Sequence, residues 1–397
     1  MHIVGIIAEY DPFHSGHAAH INATRSVGGA THVVTVLSGS FTQRGEPAML
    51  SKFCRAEMAL SAGADLVLEL PVPWSMAPAE RFAAGGVALL HALGCVDTLS
   101  FGSECGETEP LRRLAMLPET PTYQEALRQA LSTGIPYAAA GQAAAASIVG
   151  EQAATRLASP NNTLGIEYIR AAGLQGADFR FFTLSRQGAL HTDAVPKNGY
   201  ASGSLLRQMV QEGNSTATEP YMPATTFALL QKAVEQGDAP VRPQPLESGV
   251  LARLRLMTPE QLAALPYLSE GLENRLYKAA QTATSYEELL TLAKTRRYPL
   301  ARIRRILWCA MLGLEATDTT GLPPYIRVLG MNKRGQEILS AAKPSLPLVS
   351  RTAQISELDA GARRVFRLEC GATDLRALLL PHPQPSGTDQ ATKFITV

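Results

Sequence analysis

Two histidines three residues apart, His14 and His17, follow directly on a short β-branched run at residues 2–8 (HIVGIIA), with Asp11-Pro12-Phe13 ahead of them and Gly16 between. A buried strand that turns into a helix at this point aims the first free N–H groups of the helix, and its partial positive charge, at whatever lies in front of the turn. Imidazole N–H groups add donors suited to phosphate oxygens, and Gly16 removes a side chain from the path of a nucleotide. HxGH is a short pattern, and its position after the first strand is what gives it weight. A second candidate is Ser202-Gly203-Ser204, just ahead of a helical stretch, with Arg207 one turn in. Hydroxyls, helix N–H groups and a guanidinium suit β- and γ-phosphates, although Ser-Gly-Ser before a helix also serves as an ordinary N-cap.

These groups need a scaffold that brings them together. After the first strand, residues 18–28 read as a helix, THVVTVLSG as a second buried strand, and residues 52–63 as a helix closed by Gly63. DLVLELP (65–71) is a third strand, residues 79–93 a helix, and VDTLSFGSE a fourth strand with Gly102 at its carboxyl end. This alternation predicts an α/β fold with a parallel sheet, in which ligands sit at the carboxyl ends of the strands. Residues 122–158 are Ala- and Gln-rich and predicted helical, and 236–248 (QGDAPVRPQPLES) reads as a linker or long loop. Helical periodicity returns at 249–315 and 330–342, and the end (PHPQPSGTDQATKFITV) reads as loosely structured.

The chain has 397 residues and a formal net charge of +1, which argues against a uniformly basic nucleic-acid coat protein. The total hides an asymmetry. Residues 1–215 hold 14 Lys+Arg against 18 Asp+Glu, a net of −4, and the remainder holds 36 − 14 = 22 against 35 − 18 = 17, a net of +5. Within the basic half, Lys294, Arg296, Arg297, Arg302, Arg304 and Arg305 fall in twelve positions with no acidic residue, next to Tyr298 and Trp308. Such a run suits phosphate contact and stacking on unpaired bases, and Arg327, Lys333 and Arg334 extend it. Lys52, Arg55 and Arg44 are candidates for guiding an acceptor nucleotide, although Arg55 with Glu57 also reads as plain surface charge. The five cysteines, with no CxxC pair, argue against a disulfide framework or a zinc ribbon. Without an apolar run of spanning length or a signal segment, a cytoplasmic location with no membrane partner is expected.

The HxGH element paired with Ser202–Arg207 resembles the HIGH-type nucleotidyltransferase superfamily. Further segments narrow the match: Ser38–Pro47 (SGSFTQRGEP), Gly63–Pro71, Phe101-Gly102-Ser103-Glu104, Ser159–Gly165 (SPNNTLG), Arg186 ahead of His191-Thr192-Asp193, and Tyr325–Asn332. In this order they resemble the bacterial tRNA(Met) cytidine acetate ligase family across roughly residues 2–340. The resemblance implies a Rossmann-like parallel-sheet nucleotidyltransferase domain over 1–215, followed by a mostly helical, basic, tRNA-contacting region over 216–397. It implies that ATP, with Mg²⁺, activates acetate as acetyl-adenylate, and that the acetyl group then passes to the exocyclic amine of the wobble cytidine of elongator tRNA(Met), with no DNA partner. His14 and His17 are then the catalytic pair. ATP contacts are expected at Ile7, Ala8, Glu9, Tyr10, Asp11, Pro12, Phe13, His14, Ser15, Gly16, His17, Ala18, Ala19, His20, Gly102, Arg186, Ser202, Ser204 and Arg207, and at one or both of Asn161 and Asn162. No protein metal ligand is assigned. Asp11 and Ser40 stand where Asn is more usual in the family. Asp11 beside a triphosphate is repulsive unless it faces Mg²⁺ or away from the ligand. A small-molecule adenylyltransferase acting on a cofactor precursor, and an RNA-binding protein that only holds ATP, are the rival readings.

Overall fold

The structure is a computed structural model that describes residues 1–185, 199–242, 246–269 and 271–397. Arg186, His191 and Asp193 lie outside the described residues. Eight strands form one sheet: β1 (Ile3–Ala8), β2 (His32–Ser38), β3 (Leu66–Leu70), β4 (Thr98–Ser103), β5 (Arg180–Ser185), β6 (Ile326–Met331), β7 (Leu348–Val349) and β8 (Ile395–Thr396). Their order is β5-β4-β1-β2-β3-β6-β7, with β8 paired to β6. Strands β1 to β5 are mutually parallel, and β6 runs antiparallel to β3. The chain moves from β1 outward through β2 and β3, then returns to β4 and β5 on the other side of β1. The reversal opens a crevice at the carboxyl ends of β1 and β4, where ligands bind in open α/β sheets.

Side chains alternate across the sheet. Ile3 and Ile7 of β1 join Val34, Val36, Leu66 and Leu68 on one face, under the helices Ala79–Ala92 and Pro160–Leu174. Val4 and Ile6 join Val33, Leu37 and Val67 on the other, under the helices Lys52–Ser61, Gly203–Gln211 and Ala224–Glu235. The helices Glu247–Leu256, Leu272–Thr282, Tyr286–Ala293 and Leu300–Leu312 enclose a separate apolar core.

The first four strands fall where the sequence predicts them. Four departures follow from long-range pairing. Residues after 215 supply three strands to the sheet, so the expected border at 215/216 does not separate sheet from helices. Residues 330 and 331 end a strand, and the helix begins at Lys333. Val241 of the expected linker is buried, and the Arg242 N–H donates to the Leu379 carbonyl at 2.7 Å. The final segment is not loose, because Ile395 and Thr396 pair with β6 and Asp389 is fully buried.

Asp389 is buried because its charge is matched. It meets Lys52 Nζ at 2.5 Å and Arg327 Nη2 at 2.5 Å, while Lys52 also meets Glu369 at 3.1 Å and Glu69, and Arg327 meets Glu69 at 2.9 Å. This cluster ties the helix Lys52–Ser61 and β3 to β6, the helix Ala360–Ala377 and the C-terminal tail. Burial alone raises the Asp389 carboxyl, but Lys52 and Arg327 hold it well below the usual carboxylate range. Burial pushes Glu369 from 4.5 up to about 8, against the pull of Lys52. Between those values the unfolded chain has released this proton and the folded chain keeps it, so the group makes stability fall as pH rises. Glu369→Gln is therefore expected to flatten the pH dependence of unfolding between 4.5 and about 8, measured by urea denaturation across that window. An unchanged slope contradicts the assignment.

Candidate active site

A cavity of about 610 Å³ opens at the crevice between β1 and β4. Its floor is the end of β1 and the turn after it: Ile7, Ala8, Glu9, Tyr10, Asp11, His14, Gly16, His17, Ala19 and His20 all line it. Gly102 on β4, Asn161, and Ser202, Gly203 and Arg207 close other sides. The two sequence elements are thus brought to one chamber by the switch in strand order. Among the other residues expected at ATP, Pro12, Phe13, Ser15, Ala18, Asn162 and Ser204 do not line it. Phe13 is fully buried and packs against Tyr10 at 4.7 Å between ring centroids.

His14 is the N-cap of the helix Ser15–Ser26. Its Nδ1 accepts the Gly16 N–H at 3.0 Å, and the His14 N–H donates to His17 Nδ1 at 3.2 Å. The two rings stack with centroids 3.7 Å apart and planes 23° apart. Because both Nδ1 atoms accept backbone N–H groups, each neutral ring carries its proton on Nε2. The helix terminus therefore fixes the tautomer of both rings. Gly16, which lines the cavity, has a second reason beside the one the sequence suggests. A Cβ there meets His14 Cε1 at 2.9 Å, so the glycine makes room for the histidine ring itself.

Asp11, which lines the cavity, has partners within the protein. Its carboxylate accepts the N–H groups of Met49 at 3.1 Å and Leu50 at 3.3 Å, and its carbonyl accepts from Arg207 Nη1 at 2.6 Å. The carboxylate thus holds the 49–50 backbone, and Arg207 is pinned to the turn that carries the histidines. Ser202 caps the helix Gly203–Gln211 through the Leu205 N–H at 3.2 Å, and its hydroxyl lies 3.0 Å from that of Ser204. Ser202 is therefore an N-cap that also lines the cavity.

The asparagine pair divides as well. Asn162 is buried, and its Oδ1 accepts the N–H groups of Glu104 at 2.9 Å and Cys105 at 3.2 Å, which fixes the loop after β4. Asn161 lines the cavity, with Nδ2 donating to Glu104 Oε1 at 2.7 Å. Residues not singled out as ligands by the sequence complete the wall: Phe82, Phe101, Leu164 and Tyr168 are apolar or aromatic, and Thr42, Gln43 and Glu46 lie on the loop after β2 beside Arg44. Phe101 and Leu164 fall within segments that carry the family resemblance, whereas nothing local in the sequence singles out Phe82.

Several charges read as pocket or surface groups are neither. Lys52 and Arg55 are fully buried. Arg55 donates to the carbonyls of Leu50 at 3.2 Å, Glu9 at 2.6 Å and Gly39, and so braces the ends of β1 and β2. Arg327 belongs to the buried cluster, whereas Arg334 stays exposed while it bonds Asp65 at 3.0 Å, and Lys333 is exposed. The basic run splits in two. Lys294, Arg296 and Arg297 are exposed. Arg302 donates to the Tyr267 carbonyl at 2.9 Å, Arg304 pairs with Glu46, and Arg305 Nη1 donates to the Gln43 carbonyl at 2.9 Å. Tyr298 and Trp308 are buried and not placed to stack on bases: Tyr298 packs in the core of the helical region, and Trp308 in a separate apolar cluster against Phe41, 5.2 Å between ring centroids.

Among the described residues, the three-carboxylate group that could hold a metal is Glu69, Glu369 and Asp389. Lys52 and Arg327 already fill it. No helix of the described residues is long and apolar enough to cross a membrane.

The chain matches the HIGH Nucleotidyl Transferase family model over residues 1–391. It is 38% identical to the tRNA(Met) cytidine acetate ligase of Acetivibrio thermocellus, covering 96% of each chain, and 37% identical to that of Caldanaerobacter subterraneus subsp. tengcongensis, covering 95% of each. It superposes on the crystal structures of Thermotoga maritima TmcAL over 100% of both chains, with TM-score 0.92 and 30% identity for the form bound with alpha-thio ATP and 0.95 and 31% for an apo form. With the HxGH turn, the switch-point cavity and these likenesses in place, the chain belongs to the HIGH nucleotidyl transferases and, among them, to the tRNA(Met) cytidine acetate ligase family.

Proposed function

We propose that this protein activates acetate with ATP and transfers the acetyl group to the exocyclic amine of the wobble cytidine of elongator tRNA(Met), forming N4-acetylcytidine. The observation that carries the chemistry is the pair of stacked histidines whose Nδ1 atoms are both held by the backbone of one helix N-terminus. Their Nε2–H groups serve an α-phosphate oxygen as negative charge builds on it during in-line attack by acetate. Preorganised donors of this kind supply most of the rate in such reactions. Ser202, Arg207 and the first N–H groups of the helix Gly203–Gln211 hold the departing pyrophosphate. Asn161 and Gly102 border the nucleoside, and Arg186 completes the ATP contacts expected from the family.

Mg²⁺ accompanies the triphosphate rather than a cage of protein carboxylates. Asp11 is committed to backbone N–H groups, and the buried three-carboxylate group is occupied by cations. No step of the reaction is assigned to a protein-bound metal.

The exposed cations Lys294, Arg296 and Arg297 neutralise tRNA phosphates. Replacing all three with Gln is expected to weaken tRNA binding and to reduce the slope of log K against log salt by roughly 0.7–0.9 for every phosphate left without its cation. Filter binding at several salt concentrations measures it, and an unchanged slope removes these residues from the interface. Acetate-dependent exchange of labelled pyrophosphate into ATP tests the activation step. Exchange that needs no acetate, or prefers a phosphorylated cofactor precursor, favours the small-molecule adenylyltransferase reading.

A further inference from the structure

Glu9 ends the turn-side of the β1 crevice and lines the ATP cavity. A carboxyl group is a poor neighbour for a triphosphate, since like charges repel. Its surroundings hold it in place nonetheless. One carboxyl oxygen accepts the Gln43 N–H at 2.6 Å. The Gln43 carbonyl in turn accepts from Arg305, and Glu46 of the same loop pairs with Arg304. Gly45 adopts φ +71° and lies so close to the helix Leu300–Leu312 that a Cβ there falls 2.5 Å from the Arg305 backbone nitrogen. The loop that grips Glu9 is therefore clamped by the helix that follows the exposed Lys294, Arg296 and Arg297. Arg44 of this loop is exposed and also lines the cavity. The carboxyl thus stands where the ATP chamber meets the basic helical region.

We propose that Glu9 is the general base of the acetyl-transfer step, taking a proton from the exocyclic amine of the acceptor cytidine. The inference rests on the acetate-and-tRNA reading above. The lone pair of that amine is delocalised into the pyrimidine ring, so it attacks well only as a proton leaves. In the step, N4 forms a bond to the acetyl carbonyl carbon and a carboxylate oxygen of Glu9 takes the N4 proton. The bond from the carbonyl carbon to the phosphate oxygen breaks, and AMP departs with that electron pair, needing no proton itself. Glu9 then returns its proton to solvent.

The electrostatics agree with the role. Burial raises the Glu9 carboxyl above its ordinary value, against the pull of the Gln43 N–H. Arg207 and Arg55 lower it and Asp11 raises it, while Tyr168 lines the same cavity near Glu9. A base lifted toward neutrality is stronger than a free glutamate, and positioned bases contribute about 10²–10⁴-fold.

Glu9→Gln in the full chain is the test, since its carboxamide oxygen can still accept the Gln43 N–H. Acetyl-adenylate formation is followed by trapping with hydroxylamine, and transfer by a single turnover of labelled acetyl-adenylate with tRNA(Met). Transfer is expected to fall about 100-fold or more, with adenylate formation falling less than about tenfold. The wild-type transfer rate should rise with pH through the Glu9 titration, and the variant should lack that rise. Equal losses in both steps, or an unchanged transfer rate and pH profile, overturn the proposal. A wild-type protein that forms no acetyl-adenylate at all overturns the underlying reading instead.

Discussion

Replacing His17 with alanine is expected to slow acetyl-adenylate formation by about 10²–10³-fold, the usual consequence of removing one preorganised donor from a developing oxyanion. The loss has two sources in this geometry. The Nε2–H donor that the proposed mechanism assigns to the α-phosphate disappears. The His14 N–H is also left without its acceptor, and the His14 ring without the stacking partner that fixes its position. The stability cost is that of a weakened helix N-cap, about 1 kcal/mol, too small to unfold a protein of this size. His17→Asn separates the two sources, since its side-chain oxygen can still accept the His14 N–H. It should keep normal stability and remain deficient in adenylate formation. Hydroxylamine trapping of acetyl-adenylate at saturating ATP and acetate measures both variants. A loss below about tenfold in His17→Ala removes the histidine from the transition state.

The second large effect concerns stability. Lys52→Met should destabilise the folded chain by about 3–5 kcal/mol, because removing one partner of a buried ionic network leaves the rest uncompensated. Three carboxyl groups, Glu69, Glu369 and Asp389, are gathered around two cations, Lys52 and Arg327. Without Lys52 the same space holds those three carboxyl groups against one guanidinium. The sign with pH follows. Lys52 helps hold Asp389 ionised well below its usual range, so the variant should recover part of its loss as the carboxylates take up protons in mild acid. Urea denaturation at neutral and mildly acidic pH checks both statements. A loss under about 1 kcal/mol at neutral pH contradicts the account of the cluster.

What the sequence reveals here is what short-range pattern can encode. β1 to β3 are buried on both faces and so read as largely apolar, β-branched runs, and β4 is marked by Leu99 and Phe101 ahead of Gly102. β5 is an edge strand with partly exposed residues, and β7 and β8 are two residues each, so none offers such a run. β6 carries Arg327 in its interior, tolerable only because Glu69 and Asp389 arrive from remote parts of the chain. The same limit governs the site. The HxGH turn is local, and its hydrogen bonds are made within a single helical turn. Lys52 and Arg55 look like available cations because their partners are distant in sequence. Asp11 looks like a metal or phosphate problem until the 49–50 backbone is placed against it. Tyr298 and Trp308 look like stacking platforms until helix packing turns them inward. Glu9 gains meaning only when the loop after β2 closes over it.

Incubation of the protein with ATP, labelled acetate and tRNA(Met), followed by digestion of the RNA to nucleosides, reads the whole reaction at once. Label is expected in N4-acetylcytidine, dependent on ATP and absent when the wobble cytidine is replaced by uridine. Label that stays entirely out of the tRNA, while ATP is still consumed or bound, contradicts the proposed function.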